Sequence, residues 1–204
     1  PKLMWMQTYA AYEAGQSWST PTPAKVRIGN EIKNVLIFGA GYDPGQDLIP
    51  YRQDQYGRGV FMVDALTGAM LWRAGPPGSG ANLELAGMEY SIPGDVRVID
   101  LTGDGFVDRM YAGDLGGQVW RFDIINGQPV GADDTEGGKR LVEGGMLASL
   151  GNAPAGAGDA SNAIRFFYAP DPAIVQYNGS TFINVAIGSG HRENPISDKL
   201  STGG

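Results

Sequence analysis

Cysteine is absent from this 204-residue chain. That removes disulfides, thiolate metal sites and Cys nucleophiles together, but it does not fix a compartment. Basic runs are missing too: 15 Lys and Arg stand against 22 Asp and Glu, a net charge of -7. Phosphate backbones find no general attraction here, so nucleic acid is excluded as a partner. No apolar stretch approaches the roughly 18 residues a membrane helix needs, so no direct membrane insertion is expected. The opening Pro1–Trp5 lacks a signal-peptide pattern. A start at Pro1 and an end at Ser201–Gly204 are expected to be cut points within a larger protein.

Glycine and proline are plentiful instead, at 32 and 13 residues. The glycines follow no three-residue period, which excludes collagen and favours a turn-rich, strand-rich globular fold. Hydrophobic residues make up 42% of the chain, with four Trp, nine Tyr and seven Phe, enough for a substantial core.

Self-similarity appears at strand scale. Pro23–Val26 matches Pro172–Val175, and Val35–Gly41 aligns without a gap to Asn184–Gly190. A third copy runs from Pro93 to Asp114, so repeats start near 23, 93 and 172. Each copy opens with an extended segment, turns, and gives a short apolar run ending in Gly. In the first, Val60–Asp64 is followed by the turn Ala65–Gly68 and then Ala69–Arg73; in the second, Tyr111–Asp114 is followed by Leu115–Gly117 and Gln118–Asp123. Strand, Asp, Gly-containing turn and Trp-bearing strand is the layout of a hairpin in a propeller blade. Asp is expected to bond the turn backbone and Trp to pack between blades. An antiparallel sandwich is the plainer alternative. The fold class expected is all-β, a modified β-propeller with loop insertions, of which residues 1–204 form about three blades of a larger ring. Segments 74–89 and 126–163 are expected to be insertions or solvated connections.

The nonapeptide Asp100–Asp108 carries the most chemical information. Asp100, Thr102, Asp104 and Asp108 place oxygens at alternating positions, a Gly follows Asp104 at the sharp turn, and the Phe106 carbonyl can point inward. That is calcium-loop spacing. Tyr111 stands where a helix-loop-helix site has Glu, and both flanks are strand-like, so an EF-hand is excluded. Thr102 replaces the commoner Asp or Asn and lowers the ligand charge. A fully wrapped Ca2+ leaves no open position for substrate, so the expected role is structural.

Other candidates are weaker. Ser189 and His191 do not form a triad, and no nucleophile elbow precedes a helix. Asp133, Asp134 and Glu136 form an acidic cluster in a Gly-rich loop, expected to be solvated. Glu84 and Glu89 could pair as acids. Gly39–Gly41 and the Gly-rich 74–80 segment open no helix, so a phosphate cradle is unsupported. No catalytic residue and no organic cofactor is assigned.

The segments Gly15–Pro21, Val35–Tyr42, Val63–Trp72, Val98–Asp123 and Ile187–Arg192 together resemble the C-terminal propeller of the PilY/PilC family of type IV pilus tip proteins. The specific stretch is Val98–Asp123, which joins the calcium loop to the Tyr-Ala-Gly-Asp and Trp-Arg-Phe-Asp segments. The resemblance implies a non-enzymatic protein at the pilus tip or the outer-membrane surface, with pilins and minor pilins as partners. It also implies adhesion to host or abiotic surfaces and calcium-controlled pilus extension and retraction. Carried over by position, the ligands are Asp100, Thr102, Asp104, the Phe106 carbonyl and Asp108. Two rivals remain from other classes. Val63–Gly68 with Trp72 resembles the repeat of quinoprotein dehydrogenases, where it is a structural clasp. A secreted glycan-binding or glycan-cleaving propeller is the other.

Overall fold

The structure is a computed structural model, described here for residues 3–47, 53–131, 140–151 and 164–190. Eleven strands account for most of its regular structure, with two short 3-10 turns at Ala10–Tyr12 and Pro44–Asp47.

The first sheet is built from β1 (Thr22–Ile28), β2 (Glu31–Gly39), β3 (Val60–Asp64) and β4 (Met70–Gly75), each antiparallel to the one before. β5 (Leu83–Glu84) adds to β4 in parallel. The second sheet repeats the plan with β6 (Arg97–Ile99), β7 (Arg109–Gly113), β8 (Gln118–Ile124) and β9 (Val142–Ser149). β10 (Asp171–Tyr177) and β11 (Ser180–Ala186) form a separate hairpin. Its register, Asp171 opposite Ala186 through Tyr177 opposite Ser180, has the same seven pairs and two-residue turn as β1 and β2.

Strand periodicity decides which side chains enter the core. On β2, Val35 and Ile37 are buried while Leu36 and Phe38 point to the opposite face and are half-buried. β3 is central and buried along Val60–Val63, which fits its unbroken apolar run. One continuous core takes Val35, Ile37, Met62 and Trp72 from the first sheet and Met110, Trp120 and Phe122 from the second. The Trp72 ring meets Phe122 edge-on, centroids 5.8 Å apart at 77°. Trp therefore packs between blade-like sheets, and the all-β class is as the sequence indicates.

The connections depart from expectation. The 126–163 segment is not simply a solvated link, because β9 lies within it and pairs with β8 along its length. Val142 is buried beside Ile124, but most of β9 is exposed, and its Gly144–Gly145 pair hides the strand from propensity-based reading. In the 74–89 segment β4 continues to Gly75 and β5 follows.

Backbones of successive modules touch where the repeats end. A Cβ on Gly39 would collide with the carbonyl oxygen of Ile92, in the segment leading to the second sheet. Gly39→Ala is therefore expected to destabilise the fold by about 1–3 kcal/mol through forced backbone movement. Gly145→Ala, whose Cβ meets nothing, should stay within about 0.5 kcal/mol. Chemical denaturation of both variants checks the contrast; equal effects would contradict the close packing.

Candidate functional site

The loop at 100–108 joins β6 to β7 across the end of a hairpin. Its carboxylates curl the backbone. Asp100 Oδ1 accepts the Gly103 N–H at 2.6 Å and Oδ2 accepts the Gly105 N–H at 2.7 Å. Asp108 Oδ2 accepts the amides of Leu101 and Thr102 at 2.7 and 3.0 Å. Gly103 and Gly105 take φ of 74° and 86°, values that favour glycine and allow so tight a loop. These amides, Gly105 first, hold the Asp100 carboxyl below its usual range.

Three of the five expected ligands meet at one atom. Thr102 Oγ1 lies 3.3 Å from both Asp100 Oδ1 and Asp108 Oδ2. Asp104 turns elsewhere and accepts the Phe106 N–H at 2.9 Å. Among the described residues, no three Asp, Glu or His side chains gather as a metal-holding group. The donor chemistry suits a hard cation, while the loop stands closed by its own amides.

The loop is also fastened to the first sheet. Val107 N–H donates to Lys25 O of β1 at 3.0 Å, and the Arg27 guanidinium sits 4.8 Å over the Phe106 ring. Asn126, just past β8, accepts the Arg27 N–H at 2.7 Å and donates to Val107 O at 3.0 Å. The base of the loop is thus part of the seam between the two sheets.

Two Asp-turn-Trp hairpins share a plan but not an environment. Asp64 Oδ1 accepts the amides of Leu66 and Thr67 at 2.9 and 3.0 Å on the surface, and these bonds lower its pKa. Thr67 and Gly68, the quinoprotein-like residues, form this turn; Gly68 N–H closes it onto Asp64 O at 2.8 Å. Asp114, fully buried, accepts Gly116 and Gln118 amides at 2.9 Å each and the Trp120 Nε1–H at 2.7 Å. Burial pushes its pKa up to about 7 against the three donors. Asp54, whose charge adds to that rise, is itself raised by burial while accepting Ser91 N–H at 2.7 Å and Gln46 Nε2–H at 2.6 Å.

The remaining sequence candidates disperse. Glu84 accepts the amides of Gly78 and Gly80 at 3.0 and 2.8 Å, so the Gly-rich segment closes on an internal carboxylate. Glu89 instead accepts from Gln53 Nε2. The two acids serve different contacts. His191, Asp133, Asp134 and Glu136 lie outside the described residues, whereas Ser189 is described and exposed. The aromatic N-terminal segment, of which only Gly15–Pro21 stood out in the sequence, docks on the first sheet. Trp18 stacks on Tyr42 at 4.5 Å and 10°, and Tyr9 packs 5.7 Å from Phe38. Its signal was the density of rings at Trp5, Tyr9, Tyr12 and Trp18.

Repeated antiparallel sheets, sharing a Trp-centred core and linked by short backbone contacts, define a partial β-propeller. A family model described as the PilY1 beta-propeller domain matches residues 82–194. The chain belongs to that family. The type IV pilus biogenesis factor PilY1 of Pseudomonas aeruginosa is 31% identical over 136 residues, covering 65% of this chain and 10% of that protein. A PilY1 homolog of Xylella fastidiosa is 33% identical over 100 residues, covering 46% of this chain and 6% of its own. The crystal structure of the Pseudomonas aeruginosa PilY1 C-terminal domain matches with a TM-score of 0.52 at 22% identity, over 92% of this chain and 35% of that one, a likeness of fold. The chain spans about a tenth of the length of the first of these curated relatives.

Asp114 gives the fold a pH dependence of defined sign. An acid whose pKa is higher folded than unfolded contributes stability that is complete below the unfolded value and lost as pH rises through the folded one. Stability should therefore fall as pH rises from about 4 to about 7 and level off above that. Asp114→Asn should flatten that slope and cost about 1–3 kcal/mol, because an amide cannot accept from all three donors. Melting temperature measured against pH for both proteins tests this; an unchanged slope in the variant would refute the assignment.

Proposed function

We propose that this chain is part of a non-enzymatic, cell-surface protein of type IV pilus biogenesis, and that its 100–108 loop binds calcium. Family membership and the names of the relatives support the pilus role. The observation that carries the calcium reading is the meeting of Asp100, Thr102 and Asp108 oxygens at Thr102 Oγ1. Asp100, Thr102, Asp104, the Phe106 carbonyl and Asp108 would hold the ion, with Asp104 leaving the Phe106 amide to join them. Calcium would supply charge neutralisation and a rigid oxygen cage there.

Because Val107 bonds to β1 and Phe106 lies under Arg27, a stiffened loop also stiffens the seam between sheets. This is a physical route from calcium to a pilus-associated surface. In the same reading the protein sits at the pilus tip or outer-membrane surface, contacts pilins and minor pilins, and supports extension, retraction control and adhesion to host or abiotic surfaces.

Calorimetric titration with calcium should show one site, with a rise in melting temperature. Asp104→Asn keeps an acceptor for Phe106 but removes the charge. It should weaken calcium binding at least about tenfold while changing ion-free stability by less than about 0.5 kcal/mol. Absence of binding by the unsubstituted chain would sink the calcium reading and leave the pilus assignment to be judged separately, by surface pilus counts in a strain lacking the whole protein.

A further inference from the structure

We propose that the groove between the N-terminal segment and the first sheet binds a neutral saccharide. The cavity holds about 470 Å³, within the roughly 300–1,000 Å³ of small-ligand clefts. Trp5, Tyr9, Phe38 and the buried Phe61 are among the residues that line it. All of these lie outside the 82–194 span matched by the family model.

The aromatic surface is pre-formed. Tyr9 lies 5.7 Å from Phe38 and 6.0 Å from Phe61, and those two rings lie 5.9 Å apart. Trp5 Nε1–H donates to Ala65 O at 3.0 Å and Tyr9 O–H donates to Gly68 O at 2.8 Å. Both polar tips are therefore committed to the β3–β4 turn, so the Trp5 and Tyr9 rings offer the groove carbon, beside the hydroxyls of Thr8, Ser17 and Ser19. Fixed rings lose little further freedom when a ligand arrives.

Charge selects the ligand class. Among the described residues lining the groove none is charged, in a chain of net charge -7. An anion would find no counter-charge and a cation no carboxylate, so either would lose hydration without return. Gln7 and Ser17 lie exposed at the rim and supply neutral hydrogen-bonding groups. A pyranose presents C–H faces to the negative faces of aromatic rings and hydroxyls at its edge. The inference stands on the groove and is independent of calcium and pilus assembly; a sugar site would give the adhesive role a ligand class.

Saturation-transfer NMR and calorimetry on the full chain, with glucose, galactose, N-acetylglucosamine and lactose, test it. Glucuronate, sialic acid and glucosamine serve as charged controls. At least one neutral sugar should bind roughly tenfold more tightly than its charged counterparts. Gln7→Ala and Ser17→Ala, both exposed, should leave melting temperature unchanged and weaken binding by up to about tenfold for each lost hydrogen bond. Trp5→Ala should weaken it further. Binding should be equal with calcium and with chelator, which separates this site from the loop. No neutral-sugar signal, binding indifferent to all three variants, or displacement of the sugar by an apolar peptide from elsewhere on the surface would overturn the proposal.

Discussion

Burial of Trp72 against Phe122, with Trp120 in the same core, holds the first two sheets together. Each large ring removes about 150–250 Å² from water, roughly 4–6 kcal/mol of transfer free energy before chain entropy is counted. That contact needs both hairpins to present Trp on the same face, so register in β3–β4 and β7–β8 is fixed with it. Met62 stands opposite Trp72 and Ala112 opposite Trp120. A one-residue slip in either pair would turn the ring outward. The core, the turn-closing aspartates and the position of the 100–108 loop all follow from that constraint.

The same four-part pattern has different physical consequences in the two sheets. Asp64 remains at the surface and its amide bonds favour the anion, whereas Asp114 is enclosed and burial favours the proton. Locally they differ in spacing, since Trp120 follows Asp114 by six residues and donates to it while Trp72 follows Asp64 by eight. Their surroundings differ as well. Gly116 packs directly under the Tyr90 ring, and Leu115 N–H bonds to Ser91 O at 3.0 Å, so the approach to the second sheet covers the second turn. In a repeat protein the neighbour decides how a conserved layout titrates.

Features fixed by short-range chemistry were legible in the sequence. Hairpins with Gly turns, the Asp at each β3–β4 type turn, and the tightly curled nonapeptide all rest on contacts within about ten residues. β9 was not legible, because it is stabilised by pairing with β8 and not by its own Glu-Gly-Gly composition. The groove was not legible either. It requires Trp5 and Tyr9 to reach Ala65 and Gly68, about sixty residues away in the chain, and no local pattern encodes such a docking. The calcium-loop spacing is likewise only half expressed in geometry, since Asp104 turns to Phe106 where spacing alone would point it inward.

The placement of the loop gives its chemistry a mechanical meaning. A surface turn bonded only to itself could gain or lose an ion without consequence beyond a few residues. Here Asn126 bridges β1 and the loop base by bonding both Arg27 N and Val107 O, while Val107 N bonds Lys25 O. Any change in the backbone path near Phe106 must therefore be absorbed by β1, whose other edge pairs with β2 along seven residues. β2 in turn ends at Gly39, pressed against Ile92. The loop, the inter-sheet seam and the start of the second module are thus joined by one run of hydrogen bonds and close backbone contacts.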